Sequence, residues 1–260
     1  MEQETNIASP VAVRVKGPVA YVTLARPDKR NAINDETIRA LEAFFSAPPE
    51  GIRAVILSGE GEHYSAGLDL SGHVMRSSED VMKHSRWWHR VMDLIQLGGL
   101  PVISAMKGAV MGGGLELASS THVRIAEPST IFQLPEGRRG IFVGGGASVR
   151  VGRLLGPDRM AEMMLTGRRY GAEEGLALGL AHYAVGEGEA MAKAEELAER
   201  IVENAQLVNY VIIQSLSRIS DMSRADGLFT ESLCAALTQT SPDAEEGLKA
   251  FLEKRPPKFR

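Results

Sequence analysis

The sequence predicts an α/β core followed by an all-helical C-terminal third, and three observations carry that reading. Over the first half, short apolar runs of strand length alternate with longer amphipathic stretches, as they do where strands are connected through helices. Two of the runs, Ala54–Leu57 and Val102–Ala105, contain only apolar or small residues, as strands covered on both faces do. From Gly188 onward the strand signal ends and four helical stretches follow one another.

Val11–Val15 and Ala20–Leu24 read as two strands turned at Lys16-Gly17-Pro18. Arg26–Asn31 is a polar loop. Asp35 reads as a helix cap, with Ile38, Leu41 and Phe45 as the stripe behind it. Pro48-Pro49-Glu50-Gly51 stops that helix, Ala54–Leu57 is the next strand, and Gly59–Leu70 is a glycine-bearing loop. Glu79–Leu97 is helical, with Val81, Trp88, Val91, Leu94 and Ile95 on its apolar side. Val102–Ala105 is a strand, and Gly112–Ser120 opens on a glycine run and continues as helix. Val123–Ala126 and Ile131–Gln133 are strand-like, and glycine and small residues crowd Gly137–Ser148. The tail reads as helices over Gly188–Asn204, Gln206–Ile219, Gly227–Thr240 and Pro242–Lys254, a layer suited to packing on a neighbouring subunit. Met1–Ser9 is polar and featureless, the composition of a disordered terminus.

At 260 residues the chain suffices for one large domain, or a core with an appendage. The formal net charge of −4 argues against nucleic acid and anionic membranes as partners. Cys234 is the only cysteine. That excludes an intrachain disulfide or a cysteine zinc cluster and fits a reducing compartment. No apolar run approaches the roughly 20 residues of a membrane helix, and no signal-peptide pattern opens the chain, so the expected location is cytoplasmic. His63, His73, His84, His89, His122 and His182 form no pair at the i, i+4 spacing of a helical metal site. No metal is expected.

Two segments carry chemistry. Tyr64–Leu70 follows the Ala54–Leu57 strand, and Gly108–Ala118 follows the Val102–Ala105 strand. Each leads from a strand through small residues toward a helix, where the first amides lack an internal partner. Two such N–H groups, one per loop, can converge on one carbonyl oxygen and stabilise an enolate there. Alone, Gly112-Gly113-Gly114 fits tight helix-on-strand packing equally well, and Gly67 fits a plain turn. Ser65 lacks the surroundings of a nucleophile elbow.

Ser65–Leu70, Gly108–Ala118 and Leu134-Pro135-Glu136 resemble the three signature segments of the crotonase superfamily, the enoyl-CoA hydratase/isomerase family. Arg26–Ala32 resembles its first loop and Glu246–Arg255 its last helix, so the resemblance spans nearly the whole chain in order. It implies a spiral of repeated ββα units with a helical C-terminal region, here residues 1–195 and 196–260, and homotrimers or dimers of trimers. It implies an acyl-CoA substrate, CoA being part of the substrate and no separate cofactor being needed. Carried over by position, the backbone N–H groups of Leu68 and Gly113 are the oxyanion donors. The Ala66 carbonyl meets the adenine amino group, and the Gly144 N–H helps to hold the reacting water. Glu116 and Glu136 fall where hydratases carry two catalytic carboxylates, Glu136 serving the Cα proton and Glu116 the water. The bland alternatives are a first-turn carboxylate for Glu116 and a partner of Arg138 or Arg139 for Glu136.

Lys29, Arg30 and Lys258, with Lys254 and Arg255, are candidates for CoA phosphates, and Asp69 shares the Ala66 loop and is counted with this CoA-binding set. Val143 stands where the family commonly has proline, and Ala147 where it commonly has glycine. In that family this loop borders the acyl pocket, so the resemblance implies that both bear on substrate identity. Arg138 and Arg139 can meet a polar acyl tail or simply be solvated. In Trp87-Trp88-His89 one tryptophan is expected in the core and the other at a surface; an inward-facing cluster would instead suit a bulky or aromatic acyl group. The expected activity is enoyl-CoA hydration. The alternatives are another crotonase-type reaction (isomerisation, hydrolysis or hydroxycinnamoyl-CoA hydration and cleavage) and an RNA- or partner-binding role, which the net charge disfavours.

Overall fold

The computed structural model describes residues 9–71 and 76–259. Most of the Met1–Ser9 stretch and His73 lie outside the described residues. Strands β1 (Val11–Lys16) and β2 (Val19–Leu24) form an antiparallel hairpin. Helix α1 (Asp35–Ser46) follows, capped by Asn34 rather than Asp35. The Asn34 side chain accepts the Thr37 N–H at 2.9 Å, and helical geometry begins at Asp35, which is therefore a first-turn acid.

Then come β3 (Ala54–Gly59), α2 (Ser78–Leu97), β4 (Val102–Met106), β5 (Ala109–Met111), α3 (Gly113–Ser119), β6 (Val123–Ala126) and β7 (Ile131–Gln133). Short elements follow that hydropathy alone does not flag: α4 (Ala147–Leu155), α5 (Pro157–Thr166), β8 (Tyr170–Gly171), α6 (Ala172–Ala177) and β9 (Tyr183–Ala184). The tail is α7 (Ala190–Val202), α8 (Gln206–Ile219), α9 (Arg224–Gln239) and α10 (Pro242–Leu252). Helix α9 starts three residues before Gly227, because Ser223 accepts the Asp226 N–H as its cap.

The larger sheet has the order β1-β2-β3-β4-β6-β9, parallel from β2 onward, and the smaller has the order β5-β7-β8. The chain repeats one unit: a strand in the large sheet, a strand in the small sheet, then a helix. β4-β5-α3 and β6-β7-α4 are full instances. β3 with α2 is a shorter one, whose second strand is reduced to a single bridge between Ser65 and Val110. Period-2 alternation explains the unbroken apolar runs. Val22, Val55 and Leu57 face the main core, while Tyr21, Ala54 and Ile56 face a second cluster under Ala194, Leu197 and Ala198 of α7. Residue 195 thus falls inside a helix that covers the sheet.

On α2, Trp88, Val91 and Ile95 are buried, but Val81 is 52% exposed. It lies two turns ahead of Trp88, past the rim of the core. Among the described residues no helix is long and apolar enough to cross a membrane.

Candidate active site

The first loop sets the geometry. Asn31 is buried and left-handed, with φ of 54°. Its side chain donates to the Glu60 and His63 carbonyls at 2.8 and 2.6 Å and accepts the Arg26 N–H at 2.9 Å. This clamp fixes the Gly59–Leu70 loop. Ile33 donates to Gly67 O and Asp69 donates to Ile33 O, at 2.8 and 2.9 Å. The Leu68 amide between them is left facing α3.

Each glycine of the run answers to a different neighbour. Gly112 has φ of 51°, and a Cβ there would stand 2.8 Å from Glu136 Oε1. A Cβ on Gly113 would stand 3.3 Å from the Leu68 nitrogen and 3.0 Å from Trp88 Cζ3. One on Gly114 would stand 2.4 Å from Ser65 O. Gly67, with φ of 91°, lies so close to the run that its Cβ would meet Met111 O at 2.5 Å and the Gly113 nitrogen at 3.1 Å. The Leu68 and Gly113 amides therefore sit side by side. Among the described residues neither donates a hydrogen bond. Two adjacent unpaired N–H groups, that of Gly113 at the start of α3 and that of Leu68 in the loop beside it, can donate together to one oxygen.

Glu116, in the first turn of α3, is buried. Its Oε1 accepts the Gly145 and Ala147 N–H groups at 2.7 and 3.1 Å. Burial pushes its carboxyl up, and those amides and the Arg150 charge pull it back. Glu136 opens a 3-10 turn, Glu136–Arg139, after β7. It is also buried, and its Oε2 has no hydrogen-bond partner among the described residues. Burial, aided by the nearby Glu116 charge, raises its carboxyl to about 7, with Arg139 opposing. A carboxyl with donors and a cation thus sits near one with a bare oxygen. The donors and the cation favour the ionised form of Glu116, while burial and the Glu116 charge favour the protonated form of Glu136.

The Gly144 amide is the predicted water donor, but the amides that grip Glu116 belong to Gly145 and Ala147. The Gly144 carbonyl accepts from Ser85 Oγ at 2.6 Å. A Cβ on Gly145 would stand 2.6 Å from Glu116 Oε2 and 3.0 Å from Trp88 Cε3. Trp88 is thus a core residue whose ring edge also walls the site. Trp87 is half-buried, with its indole N–H on Glu42 at 2.8 Å. The small residues of 144–148 hinted at the strap, but nothing in the pattern singled out its register.

The proposed CoA residues are only partly gathered. Arg30 and Ala66 line a cleft of about 1000 Å³ that also holds Met111, Pro135, Arg138 and Arg139. Lys29 sits on the exposed turn beside Arg30 and does not line it. Lys258 lies in the C-terminal tail, its N–H on Glu246 at 2.8 Å, and does not line the cleft. Asp69 does not line the cleft. Its carboxylate binds Ser71 and, at 2.8 Å, Arg26, which hold it down at about 2. Arg138 is occupied by Thr166 O at 2.9 Å.

The enoyl-CoA hydratase/isomerase family profile matches residues 14–260. The short-chain-enoyl-CoA hydratase of Clostridium acetobutylicum is 32% identical over 248 residues, covering 94% of this chain and 95% of that protein. The carnitinyl-CoA dehydratase of Salmonella enteritidis is 35% identical over 254 residues, with 94% and 95% covered. A solved structure from Rhodopseudomonas palustris, provisionally named an enoyl-CoA hydratase, superposes with a TM-score of 0.92 at 48% identity, covering 96% of this chain and 98% of that one.

Proposed function

The chain belongs to the enoyl-CoA hydratase/isomerase family, and on that premise we propose that it is an enoyl-CoA hydratase, adding water reversibly across the double bond of a 2-enoyl-CoA thioester. The observation that carries the proposal is the coupled pair of buried glutamates beside two unpaired amides. The thioester oxygen accepts from the Leu68 and Gly113 N–H groups. Glu116 takes a proton from water as its oxygen bonds to Cβ, and the π electrons move onto the thioester oxygen as an enolate. The enolate collapses and Cα takes the proton of Glu136. Proton exchange with solvent then resets the pair. General acid–base help of this kind supplies about 10²- to 10⁴-fold, and one oxyanion donor about 3–4 kcal/mol. The scheme calls on no cofactor beyond the CoA of the substrate, with Arg30 and the Ala66 carbonyl at its mouth.

The working unit is a homotrimer or a dimer of trimers, supported by the apolar side chains left exposed on the C-terminal helices, among them Ile212, Leu216, Phe229, Leu233 and Phe251. Incubation with crotonyl-CoA and, separately, a 3-enoyl-CoA tests the reaction type. The expected result is 3-hydroxyacyl-CoA from the first. Isomerisation of the second without hydration of the first would overturn the reading.

A further inference from the structure

Arg150 is buried, and each nitrogen of its guanidinium donates a hydrogen bond. Nε donates to Gln96 Oε1 at 2.7 Å, Nη2 to Asp93 Oδ1 at 2.5 Å, and Nη1 to the Gly145 carbonyl at 3.3 Å. Gln96 and Asp93 stand on α2. Gly145 is the residue whose N–H holds Glu116 at 2.7 Å. A continuous line therefore runs from α2, through the guanidinium and one peptide unit, to the carboxylate. Gly146, with φ of 110°, leaves the space the guanidinium fills, since a Cβ there would stand 2.2 Å from Nη1.

We propose that Arg150 is a positioning residue for Glu116. It fixes the 144–147 strap whose amides grip the carboxylate, and it presents a full positive charge to that carboxylate from α4. The proposal rests on the reading of Glu116 given above. The charges around it define the effect. Glu116 is faced by Glu136 from the turn after β7 and by Arg150 from α4. Arg139 acts on Glu136. Around Arg150 stand Asp93 from α2 and Arg153 from its own helix, while His89, also on α2, feels Arg150 and Arg86 and is held toward its neutral form mainly by burial. Among the described cations, Arg150 is the one whose charge acts most strongly on Glu116. It favours the ionised state that burial opposes.

Carbon-13 titration of the glutamate carboxyls in the full-length protein tests this, with crotonyl-CoA kinetics on the same samples. In Arg150→Met the lower apparent pKa of the glutamate pair rises by about one unit, and kcat falls while KM changes little. Arg150→Lys keeps the charge and restores most of the shift. Asp93→Ala strips the counter-charge from the guanidinium and moves the same pKa down. An arginine that merely holds the fold together would lower the melting temperature and leave the titration where it was. An unmoved titration in folded Arg150→Met overturns the proposal. Should that variant not fold, an unmoved titration in Asp93→Ala does so. A wild-type protein that fails to hydrate crotonyl-CoA would refute the hydratase reading, while the titration still decides the role of Arg150.

Discussion

At the residue scale the proposed reaction turns on where one proton sits. Hydration needs Glu116 ionised and Glu136 protonated; dehydration needs the reverse. Both forms carry a single proton on the pair, so the two directions share one pH dependence. With Glu136 raised to about 7, kcat/KM falls about tenfold per unit above about pH 7 in both directions. A profile flat to pH 9 would contradict this. Gly113→Ala places a Cβ beside the Leu68 amide and against Trp88. We expect a loss of kcat of at least about 100-fold, the cost of a lost oxyanion donor, with CoA affinity retained by calorimetry. The glutamates and the glycine run were legible in the sequence because motif position and residue type coincide there. Arg150 was not. An arginine in an amphipathic stretch reads as solvated until α2 is seen to supply Asp93 and Gln96. The partner of Asp69 was hidden for the complementary reason. Its neighbour in sequence is Ala66, but its partner in space is Arg26.

At the scale of elements, α2 serves both core and site. Trp88 is 4% exposed and its ring edge meets both glycine loops. Trp88→Ala is expected to destabilise the fold by about 3–5 kcal/mol, measured by denaturant unfolding, whereas Trp87→Ala, at the half-buried neighbour, is expected to cost far less. Near-equal losses would remove Trp88 from the core. The edge between β6 and β9 gives an acid limit. His182 Nδ1 accepts the Arg124 N–H at 3.0 Å, and burial, helped by the Arg124 charge, holds the ring down at about 4. The unfolded imidazole titrates near 6.5. The unfolded chain therefore binds the extra proton first, and stability is lost as pH falls from about 6.5 toward 4. His182→Gln should flatten that part of a melting-temperature profile. Strands β3, β4, β6 and β7 were readable from apolar runs, and the cap of α1 was missed by one residue. The two-residue strands β8 and β9 carry no periodicity to read, since pairing to β7 and β6 alone defines them.

At the scale of the whole molecule, the spiral brings separate stretches of sequence together. The loop after β3, the start of α3, the turn after β7 and the strap before α4 meet around Glu116. Signature segments in the right order foretold that meeting. The repeat behind it was legible only through the family resemblance, because it is one of strand placement, without a residue pattern. The tail was legible as helices, and its exposed apolar faces make light scattering informative. A mass three or six times that of the chain is expected, and a clean monomer would contradict the assembly. The central claim is that two carboxyls share the work on one water. It is tested most directly by crotonyl-CoA hydration, followed by loss of the conjugated enoyl absorbance, in Glu116→Gln and Glu136→Gln proteins shown to fold normally. Each is expected to lose about 100- to 10,000-fold in kcat, and full hydration activity in either variant would rule out the shared role.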